Sequence, residues 1–262
     1  MVDIDRLFGL KGKIAVVAGG AGLIGSKISE VLAIAGATVI IVDTAKESQK
    51  VAEDLSQKTN SKAIHELVDI TNKQAVTELA IKVKDKFGKC DILVNSVHYK
   101  GGAFFTDLSK YPIESWEKVL SVNLTGTFLM CQAFGSMMFE GDGGSIVNIS
   151  STYGLVSADP RIYGKSGINS PVSYAATKSA ILNLSRYLAI HWRPKVRVNV
   201  LAPGGVEVDQ DPQFIKNYCS RTPLGRMAKA EDYQGAILFM CSDASKYMTG
   251  SVVVVDGGWT AW

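Results

Sequence analysis

Tyr174-Ala-Ala-Thr-Lys178 sets a phenol and an ammonium four residues apart, which on a helix is one face. Upstream, Ser150 and Ser151 close the β-type run Ile146-Val-Asn-Ile149, and Asn123 interrupts a helix-patterned stretch. These types supply what interconversion of a ketone and an alcohol demands beside a hydride source: a proton donor, and a group that polarises the oxygen. A free tyrosine titrates near ~10, too high for efficient proton transfer at neutrality. An adjacent ammonium favours the phenolate, so Lys178 is expected to bring Tyr174 down. Lys178 could also hydrogen-bond the ribose of a nicotinamide, and a serine hydroxyl can stabilise the developing alkoxide. The chain has nine tyrosines, so the Tyr–Lys spacing alone proves nothing. Its surroundings have to carry the reading.

A second chemistry stands near the start. Lys13-Ile-Ala-Val-Val-Ala-Gly-Gly-Ala-Gly-Leu-Ile-Gly25 reads as a strand, a tight turn and a helix start. Backbone amides from Gly19 and Gly22 through Leu23, Ile24 and Gly25, at the positive end of a helix, suit a pyrophosphate. The next strand, Thr38-Val-Ile-Ile-Val-Asp43, ends in an acid. A carboxylate there accepts both adenosine ribose hydroxyls and repels a 2′-phosphate, so Asp43 favours NAD(H) over NADP(H). Asp69, with Ile70 beside it, ends the third strand and is placed to meet the adenine, although Asp69-Ile-Thr71 also reads as a helix N-cap.

The elements that must position these groups alternate. Short apolar runs are predicted as strands at Ile14–Ala18, Thr38–Val42, Ala63–Val68, Ile92–Val94, Ile146–Ile149, Val196–Leu201 and Val252–Val255. Helix-length segments lie between, among them Gly25–Ala35, Ala45–Lys58, Thr71–Phe87, Ile113–Met138 and Ser173–Trp192. The pattern predicts an α/β fold, one doubly wound seven-stranded parallel sheet of Rossmann type with helices on both faces, in a single domain over 1–262. The 25 glycines exceed the roughly 18 of average usage, and they gather after successive strands, where open α/β sheets bind ligands.

Composition excludes several classes. A formal charge of +3 gives no electrostatic footprint for nucleic acid. No apolar run reaches the ~18 residues of a membrane span, and the first residues lack a signal-peptide pattern. The four cysteines form no C-x-x-C and no metal-ligand spacing, so no metal is expected and a reducing cytoplasm fits.

Taken together, the chain resembles the classical short-chain dehydrogenases/reductases along its whole length. The likeness rests on the glycine loop, Asp91-Ile-Leu-Val-Asn95, Asn123, Ile146-Val-Asn-Ile-Ser-Ser151, Tyr174-x-x-x-Lys178, Arg197-Val-Asn-Val-Leu-Ala-Pro-Gly204 and Met248-Thr-Gly250…Val255-Asp-Gly-Gly258. The resemblance implies a catalytic tetrad of Asn123, Ser151, Tyr174 and Lys178, with Ser151 preferred because the family serine precedes x-x-Gly. It also implies nicotinamide dinucleotide binding in which Asn95, Tyr174, Lys178, Pro203, Gly204 and Val206 take part, no metal, and a homotetramer or homodimer.

The departures are specific. Ala18 replaces the loop threonine, Leu23 a loop glycine, and Val208 a cofactor-holding threonine. Asn-Asn-Ala-Gly reads Asn95-Ser-Val-His98, so His98 could contact substrate or cofactor. Ser151 and Tyr174 are 23 positions apart, longer than is usual, and the extra polar segment 157–171 resembles that of members linked to sugar processing for flagellin and surface glycans. There Arg161, Tyr163, Lys165 and Asn169 could bind hydroxyls or an anion, unless the segment is a surface or subunit contact. Segment 207–226, with Arg221 and Arg226, would be the substrate lid. The expected function is NAD(H)-dependent oxidation of a secondary alcohol or reduction of a ketone on a sugar or polyol derivative. A 3-oxoacyl thioester or small-ketone reductase is the alternative, and a nucleotide-binding scaffold without turnover a lesser one.

Overall fold

The computed structural model describes residues 3–59, 61–165 and 170–262. A short helix α1 (Ile4–Phe8) leads into β1 (Ile14–Ala18), α2 (Leu23–Ile34), β2 (Thr38–Asp43), α3 (Ser48–Thr59), β3 (Ala63–Leu67), α4 (Lys73–Phe87) and β4 (Ile92–Asn95). The second half runs α5 (Ile113–Leu120), a π-helical turn Ser121–Gly126, α6 (Thr127–Glu140), β5 (Gly144–Ile149), α7 (Val172–His191), β6 (Val196–Pro203), α8 (Pro212–Arg221), α9 (Gln234–Cys241) and β7 (Val252–Val255). Among the described residues the strands form one parallel sheet in the order β3-β2-β1-β4-β5-β6-β7, the doubly wound arrangement expected.

Alternation along each strand builds two cores. Val16, Ala18, Ile40, Val42, Leu93 and Ile146 point to the face covered by α4, α6 and α7. Ala15, Val17, Val39, Ile41, Val94 and Val147 point to the face covered by α2, α3 and α9. Every residue of β1 is therefore buried, which is why its sequence is continuously apolar. The register matters for function. Ala18 pairs with both Val42 and Asn95, Asn95 with Asn148, and Pro203 with Val255, so the residues that follow these strands share one sheet edge.

Several boundaries shift by a few residues from the sequence expectation, and two differences have a clear physical reason. α4 begins at Lys73 rather than Thr71 because Asn72 caps it, its side chain accepting from the Ala75 amide at 3.1 Å. The helix expected over Ile113–Met138 runs on as expected but carries a π turn around Asn123, where Thr127 donates to the Asn123 carbonyl at 2.8 Å and Gly126 sits against Ile70.

Candidate active site

After β1 the chain turns at Gly19 with φ +72°. A Cβ on Gly19 would stand 2.7 Å from the Ser96 carbonyl oxygen, and one on Gly25 only 1.9 Å from that of Gly19, so both positions exclude a side chain. α2 starts behind Gly22 with no side chain capping it. The first-turn amides of Leu23, Ile24 and Gly25 are thus unclaimed at a positive helix end, and this bare cradle fits a dinucleotide pyrophosphate. Asp43 is tied to the same loop: its carboxylate accepts from the amides of Ala21 (3.2 Å), Thr44 (2.8 Å) and Ala45 (3.1 Å).

The other residues expected at the cofactor spread along this edge. Asp69 is exposed and accepts from the amide and hydroxyl of Thr71 at 2.9 and 2.7 Å; with Lys118 nearby, these hold its carboxyl below the ordinary value. Ile70 buries its side chain under Gly126 and leaves only its backbone for a ligand. Asn95 is buried as well, donating to Asn148 (2.8 Å) and the Cys131 sulfur (3.3 Å), while its Oδ1 has no hydrogen-bond partner among the described residues. Gly204 takes its amide to Val255 (2.9 Å) and its carbonyl accepts from the Tyr233 hydroxyl (2.8 Å), just past Pro203. Val206 forms a single parallel bridge with Ala228, and Val208 is half exposed.

The structure separates the two serines. Ser150 donates to the Lys178 carbonyl at 2.6 Å and is committed to α7. Ser151 accepts from the Tyr153 amide at 3.2 Å and is hydrogen-bonded to Tyr174, so a polarised line runs from that amide through Ser151 to the phenol. Lys178 is buried, its ammonium donating to the Ile149 carbonyl at 2.8 Å and lying 5.7 Å from the Tyr174 ring centre. Asn123 spends both ends of its amide on the scaffold: Oδ1 accepts from the Tyr99 amide at 3.0 Å and Nδ2 donates to Thr177 at 3.4 Å. The visible role of Asn123 is thus to pin the β4–α5 loop to α7.

The tyrosine's proton affinity corrects an expectation. Burial pushes Tyr174 above its ordinary value, against the Ser151 hydrogen bond that lowers it. Burial likewise pulls Lys178 down to about 8. Desolvation wins because the ammonium donates to Ile149 and makes no hydrogen bond with the phenol oxygen.

His98 follows Asn95 on the same loop. Its ring meets Tyr174 edge-on at 4.8 Å and Phe104 at 5.6 Å between centres. Crowding by the protein, then the charges of Lys178 and Lys100, hold its imidazole well below the ordinary value. Tyr153, Thr177 and Phe104 thus belong to the site although the sequence did not single them out. Position two after Ser151 was the available signal for Tyr153; the others are contacts made only by folding.

The described part of the expected insertion, residues 157–165, packs on the chain's own residues 207–226, a neighbour that the sequence did not propose. Asp159 pairs with Arg161 at 2.8 Å and with Arg221 of α8 at 2.7 Å. Asn217 donates to the Ile162 carbonyl at 3.2 Å, and Ile162 is buried with Tyr218, Met227 and Trp259. Tyr163 packs on Phe214 at 5.4 Å, and its hydroxyl is hydrogen-bonded to Tyr153 and Ser170. Arg161 faces solvent and is spent on Asp159, Lys165 is exposed, and Arg226 is paired with Asp232 at 2.6 Å. Asn169 lies outside the described residues.

Known proteins resemble this chain in sequence and fold. Residues 19–260 match the family described as enoyl-(acyl carrier protein) reductase. The chain is 31% identical to an NAD-dependent glycerol dehydrogenase of Listeria innocua, with 98% of this chain and 97% of the relative covered. It is 34% identical to a 3-oxoacyl-(acyl-carrier-protein) reductase of Aquifex aeolicus, covering 95% and 98%. A solved short-chain dehydrogenase of Leptospira borgpetersenii with bound NAD+ is similar at a TM-score of 0.88 and 35% identity, covering 99% of this chain and 96% of that one.

Proposed function

The chain belongs to the short-chain dehydrogenase/reductase family, oxidoreductases of alcohols and ketones, and we propose that it uses NAD(H) on a sugar or polyol. The observation that carries the reading is the line from the Tyr153 amide through Ser151 to Tyr174, set beside the buried Lys178 at the edge that holds the glycine cradle. The NAD preference is supported by Asp43, an anion on the loop where a 2′-phosphate would have to sit. The polyol class is supported by the likeness to glycerol dehydrogenase. Favouring a second reading, reduction of a 3-oxoacyl thioester, is the likeness to the acyl-carrier-protein reductase.

When bound, a nicotinamide supplies the hydride donor or acceptor. Its pyrophosphate would be held by the amides of Leu23, Ile24 and Gly25, its adenosine ribose by Asp43, and its other ribose by Tyr174 and Lys178. Tyr174 gives its proton to the ketone oxygen in reduction and takes the carbinol proton in oxidation. Ser151 holds that same oxygen. Because burial raises Tyr174, the phenol is protonated at neutrality, the form that serves reduction; oxidation gains as pH rises. Asn123 acts as a positioning residue. Segment 207–226 closes over the substrate together with residues 157–165. We place the enzyme in a reducing cytoplasm, consistent with its four free thiols, as a homotetramer or homodimer.

Tyr174→Phe tests the assignment. Turnover should fall by about a hundredfold or more, while NADH binding measured by fluorescence persists. Full turnover by the variant overturns the mechanism. Tighter binding of NADPH than NADH overturns the role of Asp43.

A further inference from the structure

His98 is fixed in place but chemically unspent. Its loop is pinned on both sides: Ser96 donates its amide to the Ala18 carbonyl at 2.8 Å, and the Tyr99 amide donates to Asn123 at 3.0 Å. The ring is edge-on to Tyr174 at 4.8 Å and to Phe104 at 5.6 Å. Among the described residues neither ring nitrogen has a hydrogen-bond partner, although the residue is exposed beside the phenol that works on the reacting oxygen.

Resting on the polyol reading, we propose that His98 selects substrates carrying a second hydroxyl on the carbon next to the reacting one. Hydroxyls on adjacent carbons lie about one hydrogen-bond length apart, so a substrate whose first oxygen meets Tyr174 and Ser151 can bring its second to the neighbouring ring. A neutral imidazole has one donor and one acceptor nitrogen and can serve that hydroxyl in either sense. Crowding by the protein, then the charges of Lys178 and Lys100, keep the imidazole uncharged, so the ring meets a substrate hydroxyl as a neutral donor or acceptor. A site built around a substrate hydroxyl also discriminates strongly against the analogue that lacks it.

The test compares 2,3-butanediol with 2-butanol as substrates of the wild-type enzyme and of His98→Phe and His98→Gln. The wild type should favour the diol in kcat/KM. His98→Phe keeps the aromatic packing on Tyr174 but removes the polar ring atoms. It should lose at least tenfold on the diol while changing less than threefold on 2-butanol. His98→Gln, which can still hydrogen-bond, should recover part of the diol activity. Equal losses on both alcohols, or no loss on either, overturn the role of His98 and leave the polyol reading standing. A wild-type enzyme that oxidises neither alcohol yet reduces an acetoacetyl thioester overturns the polyol reading, and this inference with it.

Discussion

Replacing Lys178 by methionine should abolish turnover without weakening the fold at neutral pH. The side chain is buried, and desolvation lowers its proton affinity from 10.5 to about 8. At about 1.4 kcal/mol per pH unit, keeping the charge at pH 7 costs the folded state about 3 kcal/mol. Methionine removes that cost but leaves the Ile149 carbonyl without its donor, a penalty of about 1–3 kcal/mol. The net expectation at pH 7 is a variant as stable as the wild type or up to about 2 kcal/mol more stable. The sign with pH follows from linkage. Between the folded value and the unfolded value the unfolded chain holds the extra proton, so the wild type gains stability as pH rises through that window and the variant does not. The variant's stability relative to wild type should therefore fall by about 2–3 kcal/mol from pH 7 to pH 10. Urea denaturation at fixed protein concentration, followed by tryptophan fluorescence at both pH values, reads this difference. A relative stability that does not change with pH would refute the claim that burial has depressed Lys178.

Further outcomes follow from other parts of the site. Gly25→Ala should weaken NADH binding by more than about tenfold, roughly 1.4 kcal/mol, since its Cβ would meet the Gly19 carbonyl; isothermal calorimetry checks this, and unchanged affinity rejects the cradle. Asp43→Asn should shift the ratio of NADPH to NADH affinity severalfold toward NADPH, read by the same titrations. Asp159→Asn releases Arg221 from the 157–171 segment. Because these groups are partly solvated, stability should change by less than about 1 kcal/mol. KM should rise with kcat preserved, and a loss confined to kcat would show that the bridge does not help hold substrate.

Strand and helix alternation could be read from residue types alone, because strands buried on both faces must be apolar throughout, as Ile14–Ala18 is. The turn after β1 was legible too, since glycine at positions such as 19 and 25 answers a local demand of the backbone. The resemblance carried by Ser151, Tyr174 and Lys178 picks out the groups proposed to react from their types and spacing alone. What lay beyond the sequence were contacts between residues distant along the chain. Which serine is free depends on the Lys178 carbonyl meeting Ser150. Asn123 became a brace because the Tyr99 amide arrives at its Oδ1, and the π turn around it rewinds locally a helix whose apolar periodicity gives no sign of it. The proton affinities reversed expectation for the same reason: spacing puts Lys178 near Tyr174, but only the packed interior shows how much solvation each has lost and that the ammonium donates to Ile149 instead. Local chemistry is written in residue types and spacing; solvation and long-range hydrogen bonding exist only once the chain has closed on itself.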